Sequence, residues 1–367
     1  MNIAIVPSAM DRSINLLAAL TLSPTYGDAL QSRITPLIQG MRRKEFDDMV
    51  ALASSNHVIV RGLHVLSQYL KRQSDHPLAG WTAEALDKER QRIANAVEHL
   101  HTICAAFEEE GIEVTVIKSL DHWPDMGSDL DLYTNARPAR VLEMMHRRFH
   151  AKLMERSWGD RLACKWNVTI PSLPEPIEMH IGRLGQTGEQ VAFARQLPGR
   201  AQIKQISDKF FRVPCPVDRV LISTLQRMYR HFYFRLSDIV NSSLLMRSGE
   251  LDYQELRSTA EAAGIWKGAA AYLMIVSDYV QLHGGAPLNL PEAVMKQADF
   301  GGNHTSFHRG FLRVPIIPHS ARLYRAQLGE LLRKREFQSS ARLGLLPWLA
   351  TAAAMGQKLT GSDKGIW

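Results

Sequence analysis

This sequence has few cysteines and lacks any apolar run long enough to cross a bilayer. Its 367 residues include three cysteines, Cys104, Cys164 and Cys215, which lie far apart and are odd in number. That pattern indicates neither a disulfide framework nor a C-x-x-C metal site, and it fits a reducing compartment. The longest apolar stretch near the carboxyl end, residues 343–356, is too short for a transmembrane helix.

Three further features are missing. No basic leader precedes the first apolar run, which Asp11 and Arg12 interrupt, so a secretory signal is not expected. The chain shows neither a repeat period nor a low-complexity tract. Because 45% of the residues are hydrophobic, the chain can bury a core and is expected to form two or three domains. The sequence therefore predicts a globular cytoplasmic protein without a transmembrane segment.

The net charge of +7 is unevenly spread. The segment from Arg309 to Arg342 carries eight Lys or Arg and two Glu, which is nearly the whole excess. Such a patch attracts phosphates, nucleic acid or anionic lipid. The simpler interpretation is the solvated face of a helix over about residues 320–338. The apolar tail that follows is expected to pack on the body, with contact to a membrane surface as the alternative.

Apolar periodicity predicts helices at both ends of the chain. The clearest segment runs from Thr82 to Glu110 and ends before Gly111. Its expected buried stripe consists of Ile93, Val97, Leu100, Ile103, Cys104 and Phe107. Helical spacing returns after Asp218 and continues to residue 285. Residues 286–320 are predicted to be a loop or linker because they are rich in Pro, Gly, Asn and His.

Strand-like segments occupy the middle of the chain. They cover residues 114–118, 129–134, 152–158, 161–170 and 176–182, with a helix over 137–149 and a hairpin turn at Gly159 and Asp160. This order predicts an α+β fold in which a small mixed sheet is flanked by amino-terminal and carboxyl-terminal helical regions. The predicted boundaries are 1–110 for the first helical region, 111–215 for the sheet domain, 216–285 for a helical bundle and 286–367 for the linker, basic helix and tail.

Two aspartates alternate within one predicted strand, GSDLDLYT at 127–134. Residues two apart share a face, so Asp129 and Asp131 are expected to lie side by side. Two close carboxylates repel unless a positive charge relieves them, and Mg²⁺ is the usual partner of such oxygen ligands. A solvated strand end beside a Gly-Ser-Asp turn is the alternative interpretation.

The surroundings of these aspartates favour a phosphate site. Lys118 and Ser119 end the preceding strand, where a lysine and the N–H groups of a short helix suit phosphate. Glu178, in PIEMHIG at 176–182, supplies a third carboxylate on a later strand. His180 shares the strand face of Glu178 and either joins the site or is a hydrogen-bonded structural histidine.

The segment VIKSLDHWPDMGSDLDLYT at 116–134, followed by PIEMHIG, resembles the nucleotidyltransferase superfamily typified by DNA polymerase beta. More narrowly it is similar to a bacterial family of uncharacterised nucleotidyltransferases, and the resemblance extends over about residues 15–285. It implies Mg²⁺, with Mn²⁺ as an alternative, held by the catalytic residues Asp129, Asp131 and Glu178. The nucleotide-binding residues that it implies are Lys118, Ser119, Gly127, Ser128 and Lys165.

The resemblance also implies the reaction, in which a nucleoside monophosphate passes from a nucleoside triphosphate to an acceptor hydroxyl and pyrophosphate leaves. The acceptor is a small molecule, a protein or an RNA. Two positions depart from the family pattern: Ser119 replaces glycine, and Asp125 replaces a basic residue, for which Arg137, Arg140 or Lys165 is expected to compensate. The alternatives are a non-catalytic nucleotide-binding scaffold and an RNA-directed, toxin-like nucleotidyltransferase.

A cluster of arginines and aromatic residues, RMYRHFYFR, spans 227–235. Stacking aromatics with cations between them are typical of sites that hold single-stranded nucleic acid. At helical spacing, however, Met228, Phe232 and Leu236 form a core stripe with the basic residues outside. The core interpretation is the favoured one.

Overall fold

The computed structural model describes residues 9–23, 28–73, 76–284 and 286–360. Within these residues the chain is a mixed α+β protein, with a small mixed sheet and helices on either side of it in the sequence, as the periodicity predicts. Buried apolar residues from the first helices, the sheet and the later helices form one continuous core. The sheet is therefore held in place from both flanks.

In the described ranges, five helices precede the sheet. They are α1 (Ala9–Leu22), α2 (Asp28–Ile38), α3 (Arg43–Ser55), α4 (Ile59–Leu70) and α5 (Leu78–Glu109). All six residues of the stripe predicted for α5 are buried. Between α3 and α4, His57 adopts a left-handed conformation with φ of 53°, and this turn directs its side chain to the site described below.

A five-stranded sheet follows. Its strands are β1 (Thr115–Val116), β2 (Leu130–Thr134), β3 (Lys152–Leu153), β4 (Lys165–Thr169) and β5 (Ile177–Ile181). The order is β1-β2-β5-β4-β3, and β2 pairs with β5 in parallel while the other pairs are antiparallel. Helix α6 (Pro138–Phe149) links β2 to β3, as predicted.

The predicted hairpin turn at Gly159 and Asp160 is wrong. Both residues lie in a short helix, α7 (Trp158–Leu162), between β3 and β4. Ser157 caps this helix by accepting a hydrogen bond from the Asp160 N–H, and a serine at this position satisfies a backbone donor that the first turn leaves free. A Gly-Asp pair is typical of a turn, but the preceding serine caps the start of a helix here.

The chain continues through a β-hairpin and further helices. The elements are α8 (Val191–Arg200), β6 (Gln202–Ile206), β7 (Lys209–Val213), α9 (Pro216–Gln226), a π-helical turn (Arg227–His231), β8 (Tyr233–Phe234), α10 (Leu236–Ser248), α11 (Tyr253–Ala262), α12 (Trp266–Gly284), α13 (Glu292–Gln297), β9 (Ser306–His308), β10 (Phe311–Arg313), α14 (Ala321–Arg333), α15 (Phe337–Gly344) and α16 (Leu346–Thr360).

Two expectations for the last eighty residues are wrong. The predicted linker contains α13 and two strands, β9 and β10, and β10 also pairs with β8 from the earlier part of the chain. The apolar tail forms α16, whose described side chains are not buried: Trp348 is 75% exposed and Met355 is 58% exposed. Over the described ranges, the helices include none with the length and apolarity needed to cross a membrane.

Candidate functional site

The pairing of β2 with β5 brings carboxylates together. Asp131 lies directly opposite Glu178 in the parallel register, and His180 follows on the same face of β5. One side-chain ligand atom from each of these three residues lies within 4.8 Å of the others. Asp129, just before β2, lines the same cavity of about 140 Å³ as Asp131 and Glu178. The three carboxylates predicted from the sequence thus border one cavity.

Two lysines lie against these carboxylates. Lys118 forms an ion pair with Asp131, and its Nζ is 3.6 Å from Glu178 Oε1. Lys165, on β4, places its Nζ 2.5 Å from Glu178 Oε2 and 3.4 Å from Asp160. Lys165 therefore supports Glu178 from outside the cavity lining, whereas Lys118 lies within it.

These contacts set the ionisation of the acids. Burial acts to raise the pKa of Glu178, but Lys118, His180 and Lys165 together hold that pKa well below its ordinary value. His180 Nε2 lies 2.8 Å from Glu178 Oε1. Repulsion from Asp131, added to burial, raises the pKa of Asp129 to about 6. Asp129 is therefore the carboxyl that a further cation would benefit most.

Lys118 has an unusual backbone. Its φ of 65° and ψ of −54°, with a 2.8 Å hydrogen bond from the Ser119 N–H to the Ile117 carbonyl, form a γ-turn. Such a turn is rare and strained, and strained residues cluster at functional sites. The Ser119 N–H, which was expected to contact phosphate, donates to the Ile117 carbonyl within the turn. The Ser119 hydroxyl accepts a 2.7 Å hydrogen bond from the Asp131 N–H, so Ser119 positions Asp131.

The loop before Asp129 is fixed by α5. Arg92 donates to the carbonyls of Met126 and Gly127 at 3.0 and 3.2 Å. Gly127 lines the cavity, and a Cβ there would lie 3.0 Å from the His57 ring, so glycine permits this close approach. Ser128, the neighbouring nucleotide-binding candidate, is exposed and lies outside the residues that line the cavity.

Asp125 does not face the cavity, so its expected conflict with a triphosphate does not arise. It is buried, and it accepts hydrogen bonds at 2.6 and 3.3 Å from the N–H groups of Val60 and Arg61 at the start of α4. None of the three residues named as able to compensate lines the cavity. Arg137 is exposed and outside the lining, and Arg140 donates to the carbonyl of Glu110.

The Asp125 position predicts a pH effect on stability. Burial raises the pKa of Asp125 to about 7, whereas an aspartate in an unfolded chain titrates near about 3.9. When the pKa of a carboxyl is higher in the folded chain than in the unfolded chain, its contribution to stability is complete below the unfolded pKa. That contribution is lost as the pH rises through the folded pKa. Between about pH 4 and about pH 7, wild type should lose on the order of 2 kcal/mol relative to Asp125→Asn.

Urea unfolding of both proteins across that pH window measures the difference. Asparagine keeps an oxygen for the α4 N–H groups and does not ionise, so the free energy of unfolding of wild type minus that of Asp125→Asn should fall as the pH rises. A difference in the free energy of unfolding that stays constant with pH would show that Asp125 is not the titrating group.

Arginines form the opposite wall of the cavity. Arg227, Arg230 and Arg235, from the π-helical turn and the residues after it, all line the cavity. Arg227 is 1% exposed and places its Nε 2.7 Å from Asp238 Oδ2. Among the described residues, the buried Arg227 Nη1 and Arg235 Nε have no hydrogen-bond partner. Donors of this kind are suited to an anion.

The sequence interpretation of this segment placed the basic residues outside, and that is wrong. Met228 and Leu236 are buried, as the core interpretation predicted, whereas the arginines line the cavity from the π-helical turn and the residues after it. The interleaving of arginine with aromatic residues was the signal that could have found them. Arg235 and Arg313 also approach the Tyr233 ring, at 6.0 and 4.9 Å from its centroid.

Three neutral histidines complete the lining. Burial, reinforced by nearby arginines, holds the pKa values of His57 and His122 well below the ordinary value, and lowers that of His231 to about 2. The His57 and His122 rings meet edge to face with centroids 5.1 Å apart. Asn241 Nδ2 lies 2.8 Å from His122 Nδ1. At neutral pH these rings offer hydrogen bonds without adding charge.

The cavity therefore has an acidic side on the sheet and a cationic side on the later helices. Such a division can hold a metal ion and an anionic group next to each other. Comparisons with protein-family models, with curated proteins and with solved structures find no match for this chain.

Proposed function

We propose that this chain is a metal-dependent nucleotidyltransferase, which moves a nucleoside monophosphate from a nucleoside triphosphate to an acceptor hydroxyl and releases pyrophosphate. The observation that carries the proposal is a single cavity with Asp129, Asp131 and Glu178 on one side and three arginines on the other. The resemblance of residues 116–134 and 176–182 to the nucleotidyltransferase superfamily points to the same chemistry.

The acidic side fits a hard divalent cation. Carboxylate oxygens are the ligands that Mg²⁺ and Mn²⁺ prefer. Repulsion from Asp131 and burial raise the pKa of Asp129 even though Lys118 acts to lower it. Asp129, Asp131 and Glu178 are the residues that would hold the ion, and Ser119 fixes the backbone of Asp131. When bound, the ion would act as a Lewis acid on phosphoryl oxygens.

The cationic side fits the phosphates. Phosphoryl-group transfer depends mainly on positioning and on charge neutralisation. Arg227 and Arg235 line the cavity and carry buried N–H groups without a hydrogen-bond partner in the described part of the chain, and Arg230 adds a third guanidinium. Because these donors are fixed before substrate arrives, little reorganisation is needed when charge develops.

Lys118 is expected to compete with the metal. Its ammonium already lies between Asp131 and Glu178, so a cation at these carboxylates must displace it. Lys118→Met should therefore raise Mn²⁺ affinity in the absence of nucleotide by about tenfold or more, because a like charge within about 4 Å is removed. Electron paramagnetic resonance of free Mn²⁺ measures this directly.

The matched control for this prediction is Lys204→Met. Lys204 is partly buried and donates to the Leu120 carbonyl at 2.6 Å, but it does not line the cavity. Its loss should leave Mn²⁺ affinity unchanged. Equal or weaker Mn²⁺ binding by Lys118→Met would contradict a metal site at Asp131 and Glu178.

The reaction itself is tested with α-labelled nucleoside triphosphates and Mg²⁺, with and without cell extract. Wild type should transfer label to an acceptor, and the double variant Asp129→Asn/Asp131→Asn should not. Equal transfer by the double variant would refute the site. If wild type binds nucleotide with metal but transfers nothing to any extract component, the non-catalytic scaffold is the better description.

The basic carboxyl-terminal segment is not by itself evidence for an RNA acceptor. Lys334 donates to the carbonyls of Glu261 and Ala262, and Arg342 donates to that of Leu162. Part of the local positive charge is thus used to hold α14 and α15 on the body. Digesting the extract with ribonuclease before the labelling reaction separates an RNA acceptor from a protein or a small molecule.

A further inference from the structure

A second, larger cavity lies away from the carboxylates. It measures about 660 Å³, is open to solvent on one side, and is lined by α1, α4, α5, α10, the turn between β6 and β7, and the segment at Trp123 and Pro124. This volume is within the range of small-molecule sites in proteins. None of the residues proposed to handle metal or phosphate lines it.

The floor of this second cavity is apolar. The Trp123 side chain and five buried aliphatic residues contribute to it: Leu20, Val60, Ile93, Val97 and Val240. Leu244, which is 53% exposed, adds apolar surface at the rim. Aliphatic and indole surfaces of this kind favour the apolar body of a ligand because its burial removes apolar area from water.

The rim has a positive bias. It is lined by three cations, Arg61, Arg90 and Lys209, and by two acids, Glu98 and Asp208, which both lie against Lys209, at 3.0 and 3.2 Å. Arg61 faces the buried Asp125, with Nε and Oδ2 3.7 Å apart. Arg90 is exposed and forms no ion pair within the described part of the chain. One anionic group on a ligand would therefore find a free cation here.

We infer that this second cavity binds a small amphipathic anion, with an aliphatic or aromatic body on the floor and one acidic group toward Arg90. A nucleoside triphosphate does not fit this description, since its several charges need the arginine wall of the first cavity. The assignment does not depend on the proposed transferase activity.

The two cavities share a wall that is held by hydrogen bonds. Arg61 donates to the Trp123 carbonyl at 2.6 Å and to Asn241 Oδ1 at 2.7 Å, and Asn241 reaches His122 on the other side. Trp123 thus contacts the second cavity, while His122 lines the first. A ligand on the floor would lie against the segment that leads to Asp129.

The experiment uses the full chain and the dye 8-anilinonaphthalene-1-sulfonate, an apolar monoanion whose fluorescence rises on burial. The first variant is Ala94→Trp, because Ala94 is an exposed residue of α5 that lines the cavity, and its matched control is Ala83→Trp on the same helix outside the lining. Ala94→Trp should weaken saturable dye binding by about tenfold or more, since the indole takes the place of the ligand's apolar body.

The charge is tested separately. Arg90→Gln should weaken dye binding by about threefold, as expected for one exposed charge, and Lys88→Gln, also exposed on α5 but outside the lining, should not. Binding of the uncharged analogue N-phenyl-1-naphthylamine should not depend on Arg90. Circular dichroism checks that each variant is folded, and Leu244→Gln provides a second change in the cavity.

Two results would overturn the inference. Dye binding that is insensitive to both Ala94→Trp and Leu244→Gln would place the dye on other apolar surface. A change of oligomeric state in Ala94→Trp, measured by light scattering without dye, would assign the cavity to contact with a second copy of the chain.

Discussion

Asp131→Asn is expected to lower the rate of the proposed nucleotidyl transfer by about 1,000-fold, which corresponds to about 4 kcal/mol of transition-state stabilisation. Asp131 lies at the centre of the acidic side, paired with Lys118 and opposite Glu178. Asparagine has the same shape but lacks the negative charge that a divalent cation needs. The backbone contact from Ser119 does not involve this carboxyl group, so the fold should persist.

The matched control for Asp131→Asn is Asp47→Asn. Asp47 is an exposed residue of α3 and pairs with Arg43 at 3.0 Å, and such surface pairs contribute about 0–1 kcal/mol to stability. The control should retain wild-type turnover. Initial-rate measurements should show kcat falling for Asp131→Asn while the KM for nucleotide changes less. Wild-type kcat in a folded Asp131→Asn protein would remove Asp131 from the mechanism.

Arg227→Met should lower the free energy of unfolding by about 3–5 kcal/mol, because removing one member of a buried ion pair leaves the other charge uncompensated. Arg227 and Asp238 are both buried, with Nε and Oδ2 2.7 Å apart. The change also removes a guanidinium from the cationic side of the cavity. Urea unfolding measures the first effect, and nucleotide titration measures the second.

The double variant Arg227→Met/Asp238→Asn separates these two effects. Because both charges are absent, most of the lost stability should return. The asparagine can still accept the hydrogen bond that the Arg235 N–H now donates to Asp238 at 2.7 Å. Nucleotide affinity should nevertheless remain at least about tenfold below wild type, since a charge-assisted phosphate contact is missing. Wild-type affinity in this stable double variant would show that Arg227 does not bind phosphate.

Local sequence signals predicted the elements better than the contacts between them. Apolar spacing found α5 and its buried stripe, because a helix that packs by one face must repeat its apolar residues every three to four positions. The two-residue alternation around Asp129 and Asp131 found β2. Both signals arise within a few residues, so no knowledge of distant segments is needed. At Gly159 and Asp160 two local signals compete, and the sequence interpretation chose the wrong one.

The role of Asp125 shows what local signals miss. Its position just before the aspartate pair suggested a charge facing the ligand. The structure instead directs Asp125 to the first N–H groups of α4, which is 65 positions earlier at Val60. Unsatisfied N–H groups at a helix start attract a carboxylate, but which carboxylate reaches them depends on how α4 packs against the sheet.

Periodicity alone was enough to predict that this chain combines helices with a small sheet and that two aspartates stand two positions apart at β2, because side-chain periodicity is a property of the local backbone. Asp129 lies just before that strand and Asp131 within it. The tertiary structure decided that β5 pairs with β2, which sets Glu178 opposite Asp131, and that a π-helical turn about 100 residues after β2 brings Arg227 to the same cavity. Such contacts depend on pairing and packing between segments far apart in the chain, and no residue pattern within a single segment encodes them.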